Sequence, residues 1–187
     1  MAHIALVLIG PPGVGKGTQA ARLRDEFELV HIATGDLLRE HCAAETDLGR
    51  QASEYMTAGH LVPDDLVVAM ARERIEASTR FLLDGFPRTL AQADALDNVL
   101  TLTRRELTAA VFIDAPDDIV VERIAGRADD RDDDDHVTVR RRLEQYHHNT
   151  APVIAHYERL GVLHRIDASR PVEEVYDEAR ALLLSLS

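Results

Sequence analysis

Gly10 to Thr18, reading GPPGVGKGT, spaces its glycines around one cation and matches the pattern G-x-x-x-x-G-K. Glycines let backbone N–H groups close around anionic oxygens, and a helix starting at such a loop adds the positive end of its dipole. Lys16 then has the reach to follow the β and γ phosphates of a nucleotide. A plain turn would need neither the inner glycines nor a lysine at the helix start. The context fits the phosphate-binding reading: an apolar run, Ile4 to Ile9, leads in, and an amphipathic segment, Gln19 to Phe27, leads out. Lys16 is also the one lysine among 21 basic residues, the other 20 being arginines. A compact ammonium on a flexible stem fits a phosphate cradle that a wide guanidinium fork does not.

A second group of cations surrounds an acidic run. Arg123, Arg127, Arg131, Arg140, Arg141 and Arg142 bracket the stretch from Ala128 to Asp135. Arg123 and Arg127 are four apart and share a helix face. Surface ion pairing explains any one of them, but the concentration within an acidic protein reads as an anion clamp. The last aspartates of the run also suit the N-terminus of a helix starting near His136.

The elements that must position these groups follow from periodicity. Strands are expected at Ile4 to Ile9, Leu29 to Ala33, Phe81 to Leu83, Ala110 to Ile113 and Val162 to Ile166. Helices are expected at Gln19 to Phe27, around Leu37 and Leu38, from Leu48 to Ala58, from Leu66 to Ala77, from Leu90 to Leu100, from Pro116 to Ala125, from near His136, and from Val172 to Leu184. Strands alternating with helices predict an α/β fold with a parallel sheet. Ligands of such sheets bind beyond the carboxyl ends of the strands, where both Gly10 to Lys16 and Asp84 to Arg88 fall. Several helices between the second and third strands exceed what a crossover needs, which predicts a small insert over residues 34 to 62.

With 187 residues and 45% hydrophobic content, the chain has the size of one domain with a proper core. Its formal charge of −12 argues against nucleic acid or an anionic membrane as the main partner. No apolar run reaches the length of a membrane span and the start lacks a signal-type pattern, so a cytoplasmic protein is expected. The single cysteine, Cys42, allows neither an internal disulfide nor a cysteine-rich zinc site, and packing is its expected role.

Taken together, GPPGVGKGTQA, HIATGDLLRE, LVPDDLV, FLLDGFPRTLAQADAL, VERIAGR and VRRRLEQYHHNTAPVIAHY resemble the adenylate kinase family over nearly the full length, and their order and spacing are highly specific. The resemblance implies a P-loop nucleoside-monophosphate-kinase fold, a five-stranded parallel sheet flanked by helices. It implies a core of 1–33, 63–126 and 136–187, an AMP-binding insert of 34–62 and a short lid of 127–135. The implied reaction is reversible transfer of the γ-phosphoryl group of Mg-ATP to AMP, giving two ADP.

By position, the resemblance assigns ATP to Gly13, Val14, Gly15, Lys16, Gly17, Thr18, Arg123, Arg127 and Arg170. It assigns AMP to Thr34, Arg39, His60, Leu61, Val62, Gly85, Phe86, Pro87, Arg88, Gln92, Arg131 and Arg142, with Thr34 and Gln92 at adenine and the Gly59 to Val62 turn at the ribose. Lys16, Arg88, Arg127, Arg131 and Arg142 become the catalytic cations, and Asp84 the holder of Mg²⁺ through water. Neither nucleic acid, membrane nor zinc is implied, and a monomer is.

Three features depart from common patterns. Gly17 stands where the usual phosphate-loop motif has a hydroxyl, with Thr18 one residue later, which weakens the case for direct hydroxyl ligation of Mg²⁺. The segment from Arg127 to Asp135 is too short and too poor in cysteine for the zinc-holding lid of some relatives. Two arginine–aspartate registers are open, Arg127 with Asp129 and Asp130, or Arg131 with Asp133 and Asp134. The rival readings are a UMP/CMP kinase of the same build, from which the base pocket around Thr34 and Gln92 would separate it, and a non-catalytic nucleotide-binding domain, which would tolerate loss of the cationic positions that are all filled here. A P-loop GTPase fits less well, for want of the hydroxyl directly after Lys16.

Overall fold

The computed structural model describes residues 3–57, 62–125 and 136–186, and for 136–138, 141 and 142 the backbone alone. The expectations on Gly59, His60, Leu61, Ala128, Arg127 and Arg131 and on the aspartates of the acidic run lie outside the described residues, as does the side chain of Arg142.

Strand β1 (Ile4–Ile9) is buried at every position, as befits a parallel strand covered on both faces. Its side chains alternate between two hydrophobic clusters: Ile4, Leu6 and Leu8 enter one, Ala5, Val7 and Ile9 the other. Helix α1 (Lys16–Phe27) follows, then β2 (Val30–Ala33), α2 (Thr34–Ala43), α3 (Asp47–Thr57), α4 (Asp64–Ala77) and β3 (Arg80–Asp84). The second half runs α5 (Leu90–Leu102), β4 (Ala109–Asp114), α6 (Asp117–Ala125), α7 (His136–Arg159), β5 (Leu163–Asp167) and α8 (Val172–Leu186). All strand pairings are parallel, in the order β2-β3-β1-β4-β5. The chain leaves β1 to one side and returns to its other side with β4, so the sheet's order reverses at β1, where a ligand crevice opens.

One cluster joins the even face of β1 to Ala20, Leu23 and Phe27 of α1 and to Val175, Ala179 and Leu183 of α8. The spacings of three and four residues put each trio on one helix stripe. The opposite cluster joins the odd face to Met70, Ala71 and Ile75 of α4, Ala93 and Leu96 of α5, and Val153 and Tyr157 of α7. The central strand β1 is therefore pinned from both sides, and the loop at its carboxyl end is held in place.

Every expected strand and helix is present, with small shifts at the ends. The largest shift is instructive: α1 starts at Lys16 rather than at the first periodic residue, Gln19. Its opening turn is made of loop residues Lys16 to Thr18, which face solvent or the loop rather than the core, so hydrophobic periodicity does not register them. Pro63 precedes α4 as its cap residue, and Asp64 and Asp65 occupy the first turn, where acids complement the helix dipole. Cys42 sits in α2 and donates from Sγ to the Gly49 carbonyl at 3.4 Å, a packing role. Among the described residues no helix is long and apolar enough to cross a membrane.

Candidate active site

The phosphate loop is shaped by contacts at its glycines. A Cβ at Gly10 would lie 2.2 Å from the carbonyl oxygen of Ile113, so the loop leaves β1 pressed against the backbone of β4. Gly13 has φ +86° and a Cβ there would meet Ile124 Cγ1 of α6 at 2.4 Å. Gly15, the residue before α1, has φ +106° and nothing within 4 Å of a Cβ position. It is thus conformation, not crowding, that calls for glycine at the mouth of the loop, and the loop stays open on the side where the first N–H groups of α1 emerge. Val14 is buried beneath, while Gly17 and Thr18 are exposed. Lys16 donates from Nζ to the carbonyls of Gly10 and Pro11, each at 2.8 Å. Its ammonium therefore lies within the ring of the loop.

A second set of groups lines the adjoining strand end. Because Leu8 pairs with Asp84 and Ala33 with Asp84, the residues that follow β1, β2 and β3 gather at one edge of the sheet. Thr34, 5% exposed, donates from Oγ1 to the Gly85 carbonyl at 3.2 Å, and Arg88 donates from Nε to the same oxygen at 2.7 Å. Gly85 has φ +75°, and a Cβ there would come within 2.8 Å of Arg88 Nη2 and 3.2 Å of Thr34 Oγ1. Only a glycine lets these two side chains meet over the strand end. Phe86 and Pro87 are buried behind them, and Arg88 is exposed toward the cleft edge. Val62 packs against the cluster containing α4 and α5.

Gln92 is 5% exposed and held on both sides. Its Oε1 accepts from the Arg88 backbone N–H at 2.7 Å, and its Nε2 donates to Asp64 Oδ1 at 2.6 Å. Thr89, the cap of α5, donates from Oγ1 to Asp64 Oδ2 at 2.7 Å and accepts from the Gln92 backbone N–H at 3.2 Å. Sequence reading took Asp64 as a helix-start acid alone. A signal was present in the T-x-x-Q spacing of Thr89 and Gln92, a helix-start pattern whose side chains engage nearby backbone donors.

Arg39 and Arg170 are engaged with carboxylates. Arg39, whose side chain is 71% exposed, pairs with Asp36 one turn before it. Arg170 pairs with Glu178 and donates from Nε to the Asp167 carbonyl at 3.2 Å. The hydrogen bond to the Glu178 carboxylate raises the Arg170 pKa above its ordinary value, so the guanidinium stays charged. Arg123 reaches from α6 to within 3.4 Å of the Val14 carbonyl, which brings it beside the phosphate loop. The structure therefore gathers Lys16, Arg123, Thr34, Gly85, Arg88 and Gln92 around the ends of β1, β2 and β3.

Asp84 ends β3 between these two sets. Its side chain is 16% exposed, its Oδ2 lies 4.0 Å from a Cβ position on Gly17, and His31 Nε2 approaches it at 3.5 Å. A carboxylate at the first turn of α1, open to solvent on one side, is the hard oxygen donor that suits a hydrated Mg²⁺. His31 was not singled out by sequence reading, and its place follows from β2 pairing with β3. Among the described residues one His/carboxylate group could gather around a cation elsewhere, Asp94, Asp97 and His156, with donor atoms within 4.8 Å of one another. There His156 Nε2 and Asp97 Oδ2, 2.7 Å apart, already bridge α7 to α5.

A glycine loop between β1 and α1, a lysine inside it and an acid at the end of the neighbouring strand define a P-loop protein of the nucleoside-monophosphate-kinase fold. A family model described as adenylate kinase matches residues 8–162. Proteins named adenylate kinase are similar over nearly the whole chain. One from Thermus thermophilus is 47% identical over 181 residues, covering 96% of each chain. One from Xanthomonas campestris is 48% identical over 177 residues, 92% of this chain and 95% of the relative, and one from Streptomyces coelicolor is 43% identical over 203 residues, 91% and 94%. The chain belongs to the adenylate kinase family.

Proposed function

We infer that the protein transfers the γ-phosphoryl group of ATP to AMP, giving two ADP, and runs the reaction in both directions. One observation carries this reading beyond family membership. The phosphate loop and the Gly85 to Arg88 turn follow directly hydrogen-bonded neighbours, β1 and β3, with Leu8 opposite Asp84. Adjacent strands lie about 5 Å apart, so the two anion-binding elements open into one cleft, as donor and acceptor phosphates require.

In the transfer, a phosphate oxygen of AMP bonds to the γ phosphorus as the bond from that phosphorus to the β–γ bridging oxygen breaks. ADP leaves with the bridging electrons. The acceptor is already ionised, so no general base is required. What the protein contributes is alignment and cationic charge around the equatorial oxygens. Lys16 exchanges the carbonyls of Gly10 and Pro11 for phosphate oxygens, together with the loop N–H groups of Gly13 to Thr18. Arg88 and Arg39 take the AMP phosphate, and Arg39 leaves Asp36 to do so. Arg123 covers the ATP base, Arg170 borders it, and Arg127, Arg131 and Arg142 close over the transferring group. Thr34 and Gln92 face the AMP base, while His60, Leu61 and Val62 line its ribose. Asp84 would hold Mg²⁺ through water, and the ion would supply charge neutralisation for the phosphate oxygens.

Residues 34–62 act as the AMP-side insert and 127–135 as the lid. In support, α2 and α3 follow β2 at the carboxyl edge of the sheet, beside Thr34. The net charge of −12 supports free nucleotides rather than nucleic acid as partners, and the proposal takes the protein as a cytoplasmic monomer.

The test is ADP formation from ATP with AMP, CMP, UMP or GMP as acceptor, with and without a magnesium chelator. AMP is the expected acceptor, chelator is expected to stop turnover, and Lys16→Ala to lower kcat about 10²- to 10³-fold with the fold intact. Preference for UMP or CMP, or near-normal turnover by Lys16→Ala, would overturn the reading.

A further inference from the structure

We propose that Asp64 is a specificity-determining positioning residue, which locks the Gln92 side-chain amide in the one orientation that accepts adenine and rejects guanine. The inference rests on the reading that Gln92 faces the base of the acceptor nucleotide. A primary amide carries one carbonyl oxygen and one NH₂ group, and a half-turn about its last bond exchanges them. At Gln92 both ends are spoken for. The Arg88 backbone N–H can only donate, so the atom 2.7 Å from it must be Oε1. The Asp64 carboxylate can only accept when ionised, so the atom 2.6 Å from it must be Nε2. A flipped amide would set NH₂ against an N–H and oxygen against a carboxylate, two repulsions in a nearly buried position.

Asp64 is itself fixed. Its second oxygen accepts from Thr89 Oγ1 at 2.7 Å, and the Thr89 hydroxyl also receives the Gln92 N–H that starts α5. The helix start, the carboxylate and the amide thus form one closed circuit spanning α4 and α5.

Among the described residues, what remains unused on the amide is one acceptor site on Oε1 and one N–H on Nε2. Adenine offers the complement on its pairing edge, the 6-amino donor beside the N1 acceptor. Guanine places an oxygen acceptor where adenine has the amino group and an N–H donor where adenine has N1. Against a locked amide, guanine therefore meets two like pairs, and against a freely turning amide it meets none. Discrimination between the purines would then reside in the orientation of Gln92, and Asp64 would act without touching the nucleotide.

Asp64→Asn tests this with little change of shape. Asparagine can present either its oxygen or its amide nitrogen to Gln92, so of the two repulsions that oppose a flipped Gln92 only the one with the Arg88 N–H remains, and the flipped orientation becomes that much more accessible. The ratio of kcat/KM for AMP to that for GMP is expected to fall about 10- to 150-fold, the worth of one hydrogen bond to a charged group. KM for AMP should rise more than kcat falls, and KM for ATP should stay put. In a Gln92→Ala background, Asp64→Asn should change the AMP:GMP ratio no further.

A merely structural role for Asp64 predicts something else: a lowered melting temperature and equal losses with AMP and GMP, leaving the ratio unchanged. That outcome, or an additive effect in the Gln92→Ala background, overturns the proposal. Should Asp64→Asn fold poorly, Thr89→Val, which removes the hydroxyl that fixes Asp64, is expected to lower the same ratio, and an unchanged ratio there overturns the proposal as well. If the wild-type protein itself shows no preference for AMP, the underlying reading of the site falls. A selective wild type with an equally selective variant refutes the lock alone.

Discussion

Gly13 and Gly15 lie two residues apart in the same loop with similar φ values, +86° and +106°, yet the structure gives them opposite surroundings. Alanine at either position must hold a left-handed conformation, at about 1–2 kcal/mol. At Gly15 that is the whole cost to the free protein, because a Cβ there meets nothing within 4 Å. At Gly13 the new methyl would stand 2.4 Å from Ile124 Cγ1 and 2.6 Å from its Cδ1, so α6 must shift or Ile124 leave its rotamer. Overpacking of that kind adds about 1–3 kcal/mol, for a total of about 2–5 kcal/mol. In a chain of this length each kcal/mol moves the melting temperature by about 2–4 °C. Gly15→Ala should therefore lower Tm by about 2–8 °C and Gly13→Ala by about 4–20 °C, read by calorimetry without nucleotide.

With ATP added, the order of the defects should reverse in one respect. Gly15→Ala puts its methyl on the open side of the loop, so it should lose most of the Tm rise that saturating ATP gives the wild type. The Gly13→Ala methyl points at α6 and leaves that side clear. Equal destabilisation by the two alanines, or full stabilisation of Gly15→Ala by ATP, would refute the assignment of the loop's open side as the phosphate side.

Two further tests address stability away from the loop. The hydroxyl of Tyr157 is fully buried in the cluster behind α5 with no hydrogen-bond partner among the described residues, and burial pushes its acidity well below that of an ordinary phenol. Tyr157→Phe removes an unsatisfied group worth about 1–3 kcal/mol, so a Tm raised by a few degrees is expected, and a destabilised variant would show a partner there. At the α1–α8 contact, Glu26 receives the Tyr176 hydroxyl and the Arg180 guanidinium, which hold its carboxyl below the usual range. A depressed folded-state value stabilises at neutral pH and is lost as pH falls through the ordinary carboxylate value of 4.5 toward the folded one. Glu26→Gln should thus flatten the decline of Tm with pH below about 5, and parallel profiles would contradict the coupling.

The fold and the phosphate-loop part of the candidate site were legible because they are written locally. The run Ile4 to Ile9 and the loop after it carry their meaning in adjacent residues: burial on both faces demands continuous apolarity, and a phosphate cradle demands glycines and a cation in fixed order. The start of α1 was misplaced for the same reason, since Lys16 to Thr18 form helix without facing a core and leave no periodic trace. The rest of the site depends on register, which no local pattern encodes. His31 comes to Asp84 because β2 lies beside β3 with Ala33 opposite Asp84. Asp64 meets Gln92 across 28 residues because α4 and α5 pack side by side over one face of the sheet.

The same distinction bears on how such a site could change its substrate. Loop residues that cradle phosphate are constrained by what every nucleotide shares, so substitutions there should reduce activity toward all acceptors. The groups proposed to read the base are held by hydrogen bonds between elements, and those bonds can be altered singly, at Asp64 or Thr89, while the glycine loop, Lys16 and the sheet beneath them stay as they are.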